Sequence, residues 1–207
     1  MTRGMSPRRC TGAILAGGQS SRMGGIPKGL MEIDGVRMLD RVAAALRDAT
    51  DDLILVANEP AADGWLPGVR RVADVQRGLG ALSGIHSALS SSGTDVLVVA
   101  WDAPFVPSGL LRELRAAGER LGAGMAAPAS GSPWGFEPLC AWFAHDALHA
   151  TGTMLGANDG RVGALAERLQ LVTVDASSWG DPGDIFFNVN TPSDFERAAE
   201  IAASLAR

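Results

Sequence analysis

Residues 15 to 30 read L-A-G-G-Q-S-S-R-M-G-G-I-P-K-G-L, a glycine-rich stretch that directly follows a short apolar run at residues 11–16. The apolar run predicts a buried strand. Gly17 and Gly18 allow positive φ or close approach, so successive N–H groups can point at a phosphate. Arg22 and Lys28 add positive charge. The stretch therefore predicts a phosphate-binding loop, and the alternative is a flexible turn between a strand and a helix.

Two well-known phosphate-binding patterns do not match this loop. A Walker A loop requires Gly-Lys followed by Ser or Thr, whereas Lys28 lies between Pro27 and Gly29. A dinucleotide-binding fingerprint requires G-x-G-x-x-G opening directly into a helix, with an acid about 20 residues later. Here a long loop follows the glycines and Glu59 is too distant. A dinucleotide-dependent oxidoreductase is therefore disfavoured.

Apolar runs alternate with segments of helical period along the whole chain, which predicts an α/β fold with a mostly parallel sheet. Further strands are predicted at residues 53–57, 69–73, 96–100, 171–174 and 185–189. Helices are predicted at residues 38–49, from 85, at 107–121, at 162–169 and from 191, where Thr191 and Asp194 supply capping groups. Residues 122–135 predict a loop with a short strand. We expect a flexible N-terminus at residues 1–9 and a single domain at residues 10–207.

Composition narrows the class of protein. The 207 residues are 46% hydrophobic, which is enough for a buried core, and carry a formal net charge of −5. An acidic chain does not coat nucleic acid, although a few local cations suffice for one nucleotide. The apolar runs are too short to span a bilayer, and the N-terminus lacks a secretory pattern. With Cys10 and Cys140 far apart, we expect buried thiols in a cytoplasmic protein that binds neither membrane nor nucleic acid.

An aspartate follows the most apolar strand, in V-L-V-V-A-W-D-A-P-F at residues 96–105. Ligands of open α/β sheets lie at the carboxyl ends of the strands. A carboxylate there, beside a triphosphate, would coordinate Mg²⁺, which prefers oxygen ligands and bridges phosphates. Asp102 is therefore the predicted metal ligand, and the alternative is a turn acid bonded to the local backbone. Asp95, at the start of the strand, is expected to be a solvated turn residue.

Two further segments carry polar groups at expected strand ends. D-V-Q-R-G-L-G-A-L-S-G, residues 74–84, joins Asp74 to a glycine-rich turn that could hold a base or ribose; the alternative is a plain connection capped by Ser83. F-F-N-V-N-T-P, residues 186–192, places two amides on one face of an extended segment. Asn188 and Asn190 could contact a phosphate, a ribose or a pterin, although Asn190 could also belong only to the helix cap.

These motifs, in this order, closely resemble the molybdenum cofactor guanylyltransferase family of nucleotidyltransferases over essentially the whole chain. The specific parts are L-A-G-G-x-S-x-R-M-G-x-x-x-K from Leu15, G-x-L-x-G from Gly80, W-D-x-P at residues 101–104, P-L-C from Pro138 and N-x-N-T-P from Asn188. Cytidylyl-transferring relatives usually have L-A-A-G where this chain has L-A-G-G. The resemblance therefore favours guanine as the base.

The resemblance implies a Rossmann-like three-layer α/β sandwich of the nucleotide-diphospho-sugar transferase type. It implies transfer of GMP from GTP to the terminal phosphate of molybdopterin, with Mg²⁺ as cofactor and release of pyrophosphate. It also implies site residues. These are Leu15, Ala16, Gly17, Gly18 and Gly80 around guanine, Asp74 near the nucleoside, Lys28 and Arg22 at the α-phosphate, Asp102 on the metal, and Asn188, Asn190 and Arg161 toward the acceptor.

The chain departs from the family at a few positions. Ala81 and Ser83 replace a proline and an alanine, and Trp101 stands where the family usually has a small residue or cysteine. Three alternatives to GMP transfer to molybdopterin stay open: transfer from CTP, a sugar or alditol phosphate acceptor, or a non-catalytic GTP- or cofactor-binding module. We expect a monomer that makes transient contact with other cofactor-biosynthesis or acceptor proteins.

Overall fold

The structure, a computed structural model, describes residues 8–17, 22–23 and 25–205, with residues 22 and 23 described by their backbone. Its strands are β1 (Cys10–Leu15), β2 (Arg22–Met23), β3 (Ile26–Pro27), β4 (Glu32–Ile33), β5 (Val36–Arg37), β6 (Asp52–Val56), β7 (Arg70–Val72), β8 (Asp95–Ala100), β9 (Met125–Pro128), β10 (Cys140–Phe143) and β11 (Leu171–Val174). Its α-helices are α1 (Met38–Ala49), α2 (Gly80–Ser92), α3 (Ser108–Leu121), α4 (Ala147–Gly156), α5 (Pro182–Ile185) and α6 (Pro192–Leu205).

Seven of the strands form one sheet, in the order β11-β9-β10-β8-β1-β6-β7. β1 pairs in parallel with both β6 and β8, β6 with β7, and β9 with β11. Only β10 runs antiparallel, between β8 and β9. The prediction of a mostly parallel sheet is confirmed. β2–β3 and β4–β5 are short separate ladders beside it.

Helices cover both faces of the sheet because each central strand is apolar on both sides. Ile14 and Leu97 belong to the core cluster that includes residues of α1 and α3. Ala13 and Val98, their chain neighbours, belong to a second cluster that includes residues of α2 and α4. The predicted three-layer sandwich is thereby confirmed. No described helix has the length and apolar character needed to cross a membrane.

A third, smaller core cluster holds α6 beside the β4–β5 ladder. Ile33 and Met38 pack there with Ile201 and Val189. The α6 start has the predicted cap, since Asp194 Oδ2 accepts from the Thr191 N–H at 2.7 Å and Thr191 Oγ1 accepts from the Asp194 N–H at 3.3 Å. This cluster fixes the segment before α6 near the carboxyl ends of the central strands.

Several predictions about local structure were wrong. Residues 185–189 do not form a strand. Ile185 ends α5, and the backbone N–H of Val189 donates one hydrogen bond to the Asp102 carbonyl at 2.9 Å. Asp95 is buried, with 2% of its surface exposed, and accepts from the His145 N–H. The helix predicted at residues 162–169 is present, as a 3₁₀ helix over residues 162–167. The expectation for the N-terminus falls mostly on residues 1–7, outside the described residues.

Candidate active site

A cleft of about 500 Å³ opens at the carboxyl ends of β1, β6 and β8, which we call the strand-end cleft. From β1 the chain runs through α1 to β6, which lies on one side of β1 in the sheet. It later returns to β8, which lies on the other side of β1. The cleft therefore lies where the strand order reverses. Six of the residues predicted from sequence line it: Leu15, Ala16, Gly17, Asp74, Gly80 and Asp102.

Lys28, Asp102 and Asn190 meet at one end of this cleft. The Lys28 ammonium donates to Asp102 Oδ2 at 2.8 Å and to Asn190 Oδ1 at 2.7 Å. Lys28 is 3% exposed and Asp102 21%, so the ion pair is largely shielded from water. An ammonium has three donors, and these two bonds leave one. Three distant segments of sequence therefore bring a cation, an anion and an amide to one point.

Lys28 contacts the cleft residue Asp102 but is not itself part of the cleft lining. The cleft presents the carboxylates of Asp74 and Asp102, and its described lining includes no lysine or arginine. A triphosphate entering there would lie beside two carboxylates, of which only Asp102 is paired with Lys28, and a cation that came with the triphosphate would reduce the repulsion. The arrangement therefore favours phosphate accompanied by a divalent metal.

The Asp102 carboxylate fits such a metal. Its Oδ2 accepts from Lys28, and among the described residues no donor contacts its other oxygen. No group of three or more potential ligand residues that could hold a metal occurs in the described ranges. Mg²⁺ is commonly held by one or two carboxylates together with substrate phosphates, not by an all-protein cage. Asp102 can therefore supply an oxygen ligand to a metal that arrives with phosphate.

Asn58 is a cleft residue that the sequence analysis did not single out. Its Nδ2 donates to Asp74 Oδ2 at 2.6 Å, and its Oδ1 accepts from the Asp74 N–H at 2.9 Å. Burial raises the pKa of Asp74, and the hydrogen bond from Asn58 and the charge of Arg77 oppose that shift. Asn58 follows β6 as Asp102 follows β8, and this position was the signal available in the sequence. Arg77 is exposed beside Asp74, so it supplies positive charge near this end of the cleft.

The turn before α2 forms one wall of the cleft. Gly78 and Gly80 have φ of 88° and 61°, which favours glycine at both positions. Ser83 lies inside α2, where its hydroxyl accepts from the Gln76 N–H at 3.2 Å, so it does not cap the helix as the alternative interpretation required. Gly84 packs closely, since a methyl group there would lie 3.1 Å from Leu15.

Trp101 packs between the segments that carry Lys28 and Asp102. Its ring stacks on Trp65 with centroids 5.5 Å apart, and it is 1% exposed. A methyl group on Gly29, the residue after Lys28, would lie 2.3 Å from the Trp101 ring. The indole therefore packs directly against the backbone that carries Lys28, while its own backbone continues into Asp102.

A smaller pocket of about 160 Å³, which we call the side pocket, adjoins the strand-end cleft and shares Ala100 and Leu139 with it. Asn188 lines this pocket, two residues before the Asn190 that contacts Lys28. Arg161 does not line either cavity. It is 79% exposed and forms hydrogen bonds with Asp159, which lower the pKa of that carboxyl to about 2.

Two predicted site residues cannot be placed. Gly18 and the Arg22 side chain lie outside the described residues, although the Arg22 backbone belongs to β2. Their assignments stay predictions. The structure thus brings together the cleft residues with Lys28 and the two asparagines, and it leaves Arg161 apart.

Comparisons with known proteins show the family to which the chain belongs. Residues 12–172 match the sequence model of the MobA-like NTP transferase domain. A probable molybdenum cofactor guanylyltransferase from Pelotomaculum thermopropionicum is 35% identical over 94% of both chains. A molybdenum cofactor guanylyltransferase from Desulfosudis oleivorans is 31% identical over 91% of this chain and 93% of its own.

Solved structures give the same result for the fold. The molybdopterin-guanine dinucleotide biosynthesis protein A from Archaeoglobus fulgidus superposes with a TM-score of 0.79 at 26% identity, covering 94% of this chain and 99% of its own. The 2-C-methyl-D-erythritol 4-phosphate cytidylyltransferase from Thermus thermophilus shares the fold at a TM-score of 0.66 and 16% identity, covering 92% of this chain and 98% of its own.

Proposed function

The chain belongs to the MobA-like NTP transferase family, and we propose that it transfers GMP from GTP to the terminal phosphate of molybdopterin. A phosphate oxygen of the acceptor attacks the α-phosphorus of GTP, the bond to the β-phosphate oxygen breaks, and pyrophosphate leaves. The observation that carries the proposal is the contact of the Lys28 ammonium with Asp102 and Asn190 at the end of the strand-end cleft.

The wide part of the cleft is the proposed nucleoside site. Small residues, Ala16 and Gly17 on one side and Gly80 on the other, leave room for a flat base between backbone groups. The reciprocal pair of Asn58 and Asp74 offers an amide and a carboxylate at the same wall. Gly18 belongs to this binding loop in the proposal.

The reacting phosphates belong beside Asp102. Phosphoryl-group transfer needs mainly positioning and neutralisation of developing charge. In the proposal, Lys28 holds Asp102 in place through one N–H and directs its remaining donor toward the α-phosphate. Arg22 adds a second cation on the same loop, and Arg77 is a further cation near Asp74.

Mg²⁺ is the proposed cofactor. Bound by Asp102 together with the phosphates, it would neutralise negative charge on the α-phosphate and on the leaving pyrophosphate. The supporting observation is that the cleft otherwise offers two carboxylates to a polyanion. Pyrophosphate release that is unchanged by removal of divalent cations would contradict this part of the proposal.

The acceptor approaches from the side of Asn188 and Asn190. Asn190 is engaged by Lys28, so Asn188 is the amide with the greater freedom to contact the acceptor. Arg161 is not part of the proposed acceptor site, because its guanidinium is paired with Asp159. Molybdopterin as the acceptor is supported by the names of the relatives at over 30% identity, which are molybdenum cofactor guanylyltransferases.

The proposal also includes a monomeric cytoplasmic enzyme that makes transient contact with acceptor proteins. Both cysteines are buried and unpaired, as in proteins of a reducing compartment.

The experiment is pyrophosphate release from purified protein with molybdopterin and Mg²⁺, supplied with GTP or CTP in turn. We expect release with GTP and much less with CTP. Release that requires CTP, or that requires a sugar phosphate in place of molybdopterin, would assign a related transferase instead. GTP binding without release under any of these conditions would assign a non-catalytic binding module.

A further inference from the structure

The side pocket joins the strand-end cleft at the point where an acceptor must reach Asp102. The two cavities share Ala100 and Leu139, and Ala100 lies two residues before Asp102. The segment that carries Asn188 is tied to Asp102 by the Val189 N–H bond of 2.9 Å. A cavity of 160 Å³ is smaller than the usual site for a whole drug-sized ligand, so it suits one ring system of a larger molecule.

Trp134 gives this pocket a large aromatic wall. Its side chain is 56% exposed, whereas tryptophan is highly buried on average. The indole is nevertheless held in place, because it packs on Gly163, where a methyl group would lie 2.1 Å from the indole nitrogen. Phe186 contributes a second aromatic side chain to the pocket. A flat ring can therefore be covered by aromatic surface here.

Glu137 gives the same pocket a carboxylate. Its backbone is fixed by bonds to Pro128 and Cys140, but no described residue donates a hydrogen bond or forms an ion pair with its side chain. Glu137 and Cys140 both line the side pocket, and burial and then the Glu137 charge raise the pKa of the Cys140 thiol. Two acceptor oxygens are thus available beside an aromatic wall.

We propose that the side pocket receives a fused 2-amino-4-oxopyrimidine ring, the pterin end of the acceptor, with Glu137 accepting its adjacent ring N–H and amino N–H groups. This inference rests on the proposed function, which supplies the pterin. A carboxylate matches two parallel N–H donors in a bidentate pair, and Trp134 covers one face of the ring. Guanine carries the same donor edge, but the nucleoside occupies the larger cleft on the other side of Ala100.

The test measures binding of free pterin by calorimetry, with lumazine as the matched probe in which an oxygen replaces the amino group. Wild type is compared with Glu137→Gln, with Trp134→Ala and Trp134→Phe, and with Glu113→Gln on α3 as a control for loss of charge. We expect wild type to bind pterin about tenfold more tightly than lumazine. Glu137→Gln should lose this preference, Trp134→Ala should weaken both probes, and Trp134→Phe and Glu113→Gln should behave as wild type.

Transfer kinetics and competition separate this inference from the proposed function. Glu137→Gln should raise the KM for molybdopterin about tenfold and leave the KM for GTP unchanged. If wild type transfers GMP but Glu137→Gln keeps wild-type pterin affinity and KM, the pocket assignment is overturned and the proposed function stands. Absence of pterin binding to wild type, or displacement of pterin by GMP, also overturns it. If transfer fails while pterin binds with the expected preference, the pocket assignment stands and the proposed function falls.

Discussion

The Asp102 carboxylate faces the cleft while one of its oxygens holds the buried Lys28 ammonium. Asp102→Asn keeps the shape and removes the charge, so we expect the turnover number for GMP transfer to fall about 100- to 1000-fold. The same change leaves the Lys28 ammonium with neutral partners only, and we expect the free energy of unfolding to fall by about 2 kcal/mol. Steady-state transfer assays and urea denaturation measure the two effects.

Asp63→Asn is the matched control for that variant. Asp63 also pairs with an arginine, Arg71, but the Asp63 side chain is 66% exposed, so the change should have little effect on stability or transfer. Wild-type transfer by Asp102→Asn would remove Asp102 from the chemistry. Unchanged stability would show that the contact with Lys28 contributes little to the fold.

Gly17 allows a test of ligand approach that leaves the fold untouched. A methyl group there would meet no described atom within 4 Å, and the φ of Gly17 is not in the left-handed region. We therefore expect Gly17→Ala to unfold at wild-type denaturant concentration or slightly above. GTP affinity, measured by calorimetry with Mg²⁺, should fall about tenfold because the methyl group would occupy space needed by the ligand.

Gly64→Ala serves as the control, since a methyl group at Gly64 also meets nothing within 4 Å in the described part of the chain and Gly64 lies outside the cleft lining. It should bind GTP as wild type does. If Gly17→Ala also kept wild-type affinity for GTP, the segment that follows β1 would not contact the nucleotide. This result would contradict the proposed nucleoside site.

Lys28 and Asp102 could be identified from the sequence because each is a charged residue at a typical ligand-binding position. Lys28 lies in a glycine-rich loop, and Asp102 follows the end of a strand. Their direct contact could not be predicted, since 74 residues separate them. Asn58 was missed because an amide after a strand is common in turns. Arg161 was predicted to contact the acceptor, and the structure shows that its guanidinium donates two hydrogen bonds to Asp159, two residues earlier.

Strands β1, β6 and β8 were predictable because continuous apolar runs of this length are buried on both faces of a parallel sheet. The run at residues 185–189 has similar composition, yet Val189 packs in the third cluster beside Ile201, not in a ladder. The composition of a segment indicates whether it is buried, but tertiary packing determines which element it packs against. The same reason explains Asp95, whose charge at the start of β8 is buried by residues distant in sequence.

The packing of the Lys28 loop against β8 gives a further prediction. Gly29→Ala must displace the Trp101 ring, because its methyl group would lie 2.3 Å away. We expect the turnover number to fall about tenfold, since Trp101 connects the sheet to Asp102 and small displacements at the reacting groups are costly. Adding Trp101→Phe removes part of the ring and should restore much of the lost rate. Wild-type turnover in Gly29→Ala, or no recovery in the double variant, would contradict the role of this contact.

The protein as a whole should unfold in one transition. β1 and β8 contribute to the cores on both faces of the sheet, through Ile14 and Leu97 on one face and Ala13 and Val98 on the other. Loss of packing on one face of the sheet would therefore also expose the apolar core on the other face. We expect one calorimetric peak with equal calorimetric and van't Hoff enthalpies. Two resolved peaks would contradict the prediction of a single domain.

The central claim is that this chain joins the α-phosphate of GTP to molybdopterin at the Lys28–Asp102 end of the cleft. The most direct measurement follows GTP labelled at the α-phosphate, with molybdopterin and Mg²⁺, in wild type and Asp102→Asn. We predict that wild type transfers the label into a molybdopterin dinucleotide with one pyrophosphate released for each transfer, and that Asp102→Asn does not. Label that stays in GTP with wild type, or that is transferred equally by the variant, would contradict the account.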